Sequence, residues 1–153
     1  MISRIVFGLG SNLGNRLDNI NNAVKYLENL FNLSKVKFSN IIENKAILLP
    51  NSPQEWDLDF LNIVISADID IERFKPLEIL NITQEIEKKI GRVQSQRWSP
   101  RVIDIDILAI DDYIIKIDEI LTIPHLGIFD RDFFINGFKE IESNLYEILL
   151  KKI

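Results

Sequence analysis

The sequence contains no cysteine, a single His and a single Met among 153 residues, with six Gly and five Pro. Without cysteine there is no disulfide framework, no thiolate nucleophile and no Cys-ligated zinc or iron–sulfur centre. No apolar run approaches the ~20 residues that cross a bilayer. Internal repeats, low-complexity tracts and linkers are missing too. Met1 runs almost directly into a strand-like segment without a basic-then-apolar leader, so a secretory signal is not expected and a cytoplasmic location is. Basic residues are outnumbered 18 to 23, for a formal charge of −5. A surface of that sign repels nucleic acid and anionic membrane unless its cations are locally concentrated.

They are concentrated. Three of the few arginines, Arg92, Arg97 and Arg101, fall within one ten-residue loop. With 46% hydrophobic and 27% charged residues the composition is ordinary for a globular chain, and the length fits one domain over residues 1–153.

Pattern along the chain suggests β-α-β-β-α-β followed by a tail. Arg4–Leu9 is β-rich and ends in the turn cluster Gly10-Ser11-Asn12-Leu13-Gly14-Asn15. Leu17, Ile20, Val24, Leu27 and Phe31 then form a helical stripe, with Asn15 as N-cap. Val36–Leu48 reads as a strand, and Pro50 and Pro53 open a long loop. Phe60–Ile69 alternates as a strand. Pro76 begins a helix with Ile79, Ile82, Ile86 and Ile90 on one face and Gly91 as its stop. Val102–Ile110 is a strand, followed by an expected hairpin near Asp111–Ile117, a loop through Pro124-His125 and a helix near Phe133–Glu142. This order is that of a ferredoxin-like α+β sandwich, an antiparallel sheet with both helices on one face. The other face is left open for a ligand, bordered by two long loops.

Several constellations suit that open face. Asp104 and Asp106 are two apart on a strand, so they share a face with Cα atoms about 6.5 Å apart. Carboxylates so placed suit a pair of Mg²⁺ ions, which take one or two carboxylates and complete their shells with phosphate oxygens and water. The plain alternative is a solvated strand face above Ile103, Ile105 and Ile107. The arginine loop precedes this strand directly, and guanidiniums grip phosphate in a bidentate fork; its plain alternative is a solvated loop. Trp98 is placed to stack on a ring. Gln84 and Glu87 lie three apart on a helix, suited to a base or ribose, or simply solvated. Phe60 and Asn62 share a strand face and suit the face and edge of a heterocycle, or core packing. His125, beside Thr122 and Pro124, is placed to reach a phosphate.

Taken together, these motifs resemble the 6-hydroxymethyl-7,8-dihydropterin pyrophosphokinase family of folate synthesis. Arg97-Trp98-Ser99-Pro100-Arg101-Val102-Ile103-Asp104-Ile105-Asp106-Ile107-Leu108 is close to that family's Arg-Trp-Gly-Pro-Arg-x-x-Asp-x-Asp-Ile-Leu signature. Gly10-Ser11-Asn12-Leu13-Gly14 matches its amino-terminal element, and Phe60-Leu61-Asn62, Gln84-x-x-Glu87, Gly91-Arg92 and Thr122-x-Pro124-His125 follow in order.

The resemblance implies a ferredoxin-like fold and transfer of pyrophosphate from ATP to the pterin hydroxymethyl group, releasing AMP. It implies that Arg92, Arg97, Arg101, Asp104 and Asp106 carry the chemistry, with Asp104 and Asp106 on two Mg²⁺. It implies that Gln84, Glu87, Trp98, Thr122, His125 and Arg131 surround ATP. Asn44, Ile47, Phe60, Asn62 and Phe133 would then surround the pterin. Fusion to, or association with, dihydropteroate synthase is also implied. Gln94, Ile120, Leu126 and Asn44-Lys45-Ala46 depart from the family pattern. Two other readings share the element order: an RNA-recognition module and a non-catalytic pterin-binding domain.

Overall fold

The computed structural model describes residues 1–93 and 98–153. Strand β1 (Ile2–Ser11) leads to helix α1 (Arg16–Leu30), then to β2 (Ser34–Phe38), β3 (Ile42–Asn44) and β4 (Phe60–Asp70). Helix α2 (Pro76–Ile90) and strand β5 (Asp104–Ile110) follow, then the ribbon β6 (Ile115–Ile117) and β7 (Leu121–Ile123), and helix α3 (Asp132–Lys152). The main sheet runs β2-β4-β1-β5, antiparallel throughout, and β3 extends the pairing of β4. This is the ferredoxin-like order expected from the sequence.

Local chemistry accounts for the helix ends. The Asn15 side chain caps α1 by accepting from the Asp18 amide. Pro76 occupies the first turn of α2, where its missing N–H costs nothing. Gly91 closes that helix at φ 123°, a backbone conformation that a side chain would strain.

Two cores flank the sheet. Ile5, Phe7 and Leu9 of β1 face α1 and α2, together with Ile63, Ile65, Ile103, Ile105 and Ile107. Their neighbours Val6, Val64 and Leu108 face α3, against Phe134, Phe138, Tyr146 and Leu149. The second face is therefore open at only one end.

Other expectations are corrected. The single strand expected over Val36–Leu48 is two short ones, because residues 39–41 leave the ladder. There the Ser39 hydroxyl accepts from the Val64 amide and the Asn40 amide donates to Glu140 of α3. Leu17 is 46% exposed and not part of the buried stripe, which runs Ile20, Ala23, Val24, Leu27. Residues Asp111 and Asp112 form a turn, and the hairpin lies further on, between β6 and β7. Helix α3 does not stop at Glu142; it kinks there (φ −138°, ψ 55°) and continues to Lys152.

Candidate active site

A cleft of about 270 Å³ opens at the uncovered end of the sheet, over the carboxyl end of β1 and the amino ends of β4 and β5. Its floor is set by register. Gly10 pairs with Asn62 on one side and Asp104 on the other, and Gly8 with Val64 and Asp106. Asn62 and Asp104 thus stand two strands apart, roughly 10 Å, across a glycine backbone. A Cβ at Gly10 would meet Asn62 Oδ1 at 2.7 Å, so a bare backbone is what lets that amide lie there.

Asp104 is held by two guanidiniums. Arg92 Nη1 donates to Oδ1 at 2.7 Å, and Arg101 Nη1 lies 3.1 Å from both oxygens. Arg92 Nη1 also reaches Glu87 Oε2 at 2.8 Å, and the same Glu87 oxygen accepts from the Ile105 amide at 2.8 Å. Burial pushes the Glu87 carboxyl up, opposed by the Ile105 N–H and the Arg92 charge. Glu87 therefore ties the end of α2 to β5 and orients Arg92. Asn12 makes a second tie: its Oδ1 accepts from the Arg101 amide at 2.7 Å and its Nδ2 donates to Leu58 O at 3.1 Å.

Asp106 is in a different situation. Burial, and secondarily the charge of Asp104, push its carboxyl up to about 7. Among the described residues, the basic group within 4 Å of it is His125, whose Nε2 lies at 3.7 Å. Desolvation, then the Arg131 charge, hold His125 down at about 4, so at neutral pH the imidazole is neutral and this contact is not an ion pair. His125 Nδ1 accepts from the Gly127 amide at 2.9 Å, which leaves the ring proton on Nε2, facing Asp106. Arg131 lines the same wall with its guanidinium 5.6 Å from the Phe134 ring.

The opposite side of the cleft is aromatic and amide. Phe60, Asn62, Asn44, Ile47 and Phe133 line it, and Asn62 Nδ2 donates to Asn44 Oδ1. The strand pair β3–β4 places Asn44, Phe60 and Asn62, opposing Phe60 with Asn44, while Ile47 comes from the segment after β3 and Phe133 from the first turn of α3.

Of the residues singled out from the sequence, the cleft brings together Arg101, Asp104, Asp106, Trp98, His125 and Arg131 with the five aromatic-side residues. Arg92 and Glu87 join through Asp104. Gln84 is exposed on α2, Thr122 sits on β7, and neither is in the lining. Arg97 and Gln94 lie outside the described residues. Sequence reading missed Phe134 as a lining residue. The adjacency of Phe134 to Phe133 was the available signal, but it reads as helix core.

The fold and the cleft define the class: a small α+β protein whose ferredoxin-like sheet ends in a cleft of guanidiniums, paired carboxylates and aromatics. The family model described as 7,8-dihydro-6-hydroxymethylpterin-pyrophosphokinase matches residues 6–143, and the chain belongs to this family. A 2-amino-4-hydroxy-6-hydroxymethyldihydropteridine pyrophosphokinase of Aquifex aeolicus is 34% identical over 151 residues, covering 99% of this chain and 88% of the relative. A folate synthesis bifunctional protein of Chlamydia caviae is 41% identical over 133 residues, covering 86% of this chain but 29% of the relative. Among solved structures, wild-type Plasmodium falciparum HPPK-DHPS with pteroate superposes with a TM-score of 0.66 at 14% identity, over all of this chain and 43% of that one. That last likeness concerns the fold. Of the readings the element order leaves open, family membership selects a pyrophosphokinase of folate synthesis. No helix among the described residues is long and apolar enough to cross a membrane.

Proposed function

We propose that the protein transfers the β,γ-pyrophosphoryl group of ATP to the hydroxymethyl oxygen of 6-hydroxymethyl-7,8-dihydropterin. The hydroxymethyl oxygen bonds to the β-phosphorus and gives up its proton to water, the bond from that phosphorus to the α,β-bridging oxygen breaks, and AMP leaves. The observation that carries this reading is the row Asn62–Gly10–Asp104, which puts an amide for a heterocycle edge and a carboxylate for a cation on either side of a side-chain-free floor.

Transfer of this kind needs no protein nucleophile; it needs positioning and dispersal of charge. In this reading Arg92, Arg101 and Arg131 take the phosphate oxygens, and Glu87 acts through Arg92. The Nε2 proton of neutral His125 donates to a phosphate oxygen without adding charge. Phe60 and Phe133 flank the pterin faces while Asn62 reads the edge, and Trp98, also in the lining, lies at the nucleotide.

The residues also fit a divalent cation. No group of three or more His, Asp or Glu suited to a metal occurs among the described residues. Mg²⁺, however, prefers one or two carboxylates completed by phosphate oxygens. Asp106, partly buried beside Asp104 and with no ion-paired guanidinium among the described residues, is the group a cation would satisfy. Mg²⁺ held by Asp104 and Asp106 would neutralise the carboxylate pair and the phosphate oxygens together.

The domain assignment, 1–153 as one unit that in some relatives is joined to dihydropteroate synthase, belongs to the same proposal. Incubation with ATP, Mg²⁺ and the hydroxymethyl pterin should release AMP and pterin pyrophosphate. Release of ADP with a pterin monophosphate would overturn the assigned transfer.

A further inference from the structure

Phe134 is 3% exposed, lies next to a residue assigned to the pterin, and has no part in the chemistry above. Its ring nevertheless touches three site residues at once. The Phe133 ring meets it at a centroid distance of 4.6 Å and 67°, and the His125 ring at 5.4 Å and 81°, both edge-to-face. The Arg131 guanidinium lies 5.6 Å from the same centroid. Edge-to-face pairs and cation–π contacts are directional, so one ring fixes the orientation of all three neighbours.

The ring in turn is seated by Gly8. A Cβ there would meet Phe134 Cε1 at 2.6 Å, so the ring lies directly on the β1 backbone, at the position that pairs with Asp106. Phe134 therefore stands between the pterin side, through Phe133, and the phosphate side, through His125 and Arg131.

We propose that Phe134 is a positioning residue that holds Phe133, His125 and Arg131 as one packed unit, so that it sets the affinity of both halves of the cleft together. This rests on the functional reading above. A purely structural core residue would change stability and leave both affinities alone. Phe138 supplies that comparison: it is fully buried in the same core but meets Tyr146 edge-to-face, and it is not in the cleft lining.

The test compares the wild type with Phe134→Leu, Phe138→Leu and Gly8→Ala. His125 is the only histidine, so its ring signals are directly assignable by NMR in the ligand-free protein. They should move in Phe134→Leu and Gly8→Ala and stay in place in Phe138→Leu. Dissociation constants for α,β-methylene-ATP with Mg²⁺ and for 6-hydroxymethylpterin should each rise about tenfold in Phe134→Leu, within the range of measured couplings between touching side chains. Both should be unchanged in Phe138→Leu at a comparable loss of melting temperature. Adding His125→Ala to Phe134→Leu should weaken nucleotide binding by less than the product of the separate effects. Unmoved His125 signals, or equal affinities in Phe134→Leu and Phe138→Leu, would overturn the proposal. Failure of the wild type to bind either ligand would instead overturn the functional reading and the affinity claim with it, while the His125 signals still decide the positioning.

Discussion

Single residues carry the electrostatics of this protein, and two of them oppose one another. Asp106 has its acidity weakened in the fold, to about 7 from an ordinary 3.8. Between those values the native state holds more protons than the unfolded chain, so this group makes stability fall as pH rises. His125 is held at about 4, below its ordinary 6.5. There the unfolded chain holds more protons, so this group makes stability rise with pH from about 4 to 6.5. In the ligand-free wild type the two slopes offset across that interval. Asp106→Asn should raise the melting temperature at pH 7.5 and have little effect at pH 4, leaving a net rise of stability with pH. The Asp106 side chain is 35% exposed, so solvent screening keeps the gain to a few degrees. A melting temperature lowered by Asp106→Asn at pH 7.5 would contradict this account. A second residue is informative for the opposite reason. Ser3 is 2% exposed and its hydroxyl has no hydrogen-bond partner among the described residues. Ser3→Ala removes an unsatisfied buried group and should be neutral or stabilising by up to ~1 kcal/mol in urea titration.

At the scale of elements, α3 departs most from its sequence pattern. Its apolar positions Phe134 and Phe138 call for another at 142, where the residue is Glu. A charged residue on the buried stripe reads as the end of a helix. In the fold, Glu142 Oε2 accepts from Arg4 Nε at 2.8 Å and from the Ser66 hydroxyl at 2.6 Å, and Arg4 also pairs with Asp68 at 3.1 Å. The helix kinks at Glu142 and proceeds to bury Tyr146 and Leu149. This network is largely shielded from solvent. Glu142→Ala would leave Arg4 with Asp68 as its remaining carboxylate partner and should cost about 1.5–3 kcal/mol in chemical denaturation. Glu43, whose exposed carboxylate pairs with Arg16 at 3.1 Å, should lose only about 0–1 kcal/mol on Glu43→Ala. Equal costs would show that the Arg4 network does not anchor α3.

For the whole molecule, the cleft gathers groups from β1, β3, β4, β5 and α3 with the loops beside them, and a ligand seated there binds the folded state alone. At a concentration 100 times its dissociation constant, such a ligand stabilises by about 2.7 kcal/mol. For a chain of this length that is about 5–10 °C in melting temperature. α,β-Methylene-ATP with Mg²⁺ should produce this shift, and 6-hydroxymethylpterin should add to it. No shift with either ligand would remove the cleft as their site.

Much of this protein was settled by sequence alone. The alternation of β1, β4 and β5 separates two faces, and the Ile-rich helical stripes supply what covers one of them. Asp104 and Asp106 share a face because residues two apart on any strand do. Asn15, Pro76 and Gly91 bound their helices through local backbone chemistry. The family motifs, read together, pointed to a pterin pyrophosphokinase. Tertiary structure decided whatever depends on partners distant in the chain. The break between β2 and β3 comes from Glu140 and Val64, and the length of α3 from Arg4 and Ser66. The division of labour between the two aspartates has the same origin. Both are Asp on one strand, but two guanidiniums converge on Asp104 while Asp106, partly buried, faces a neutral imidazole. Spacing along a strand fixes which way a side chain points, and only the packing of other segments fixes what it meets there.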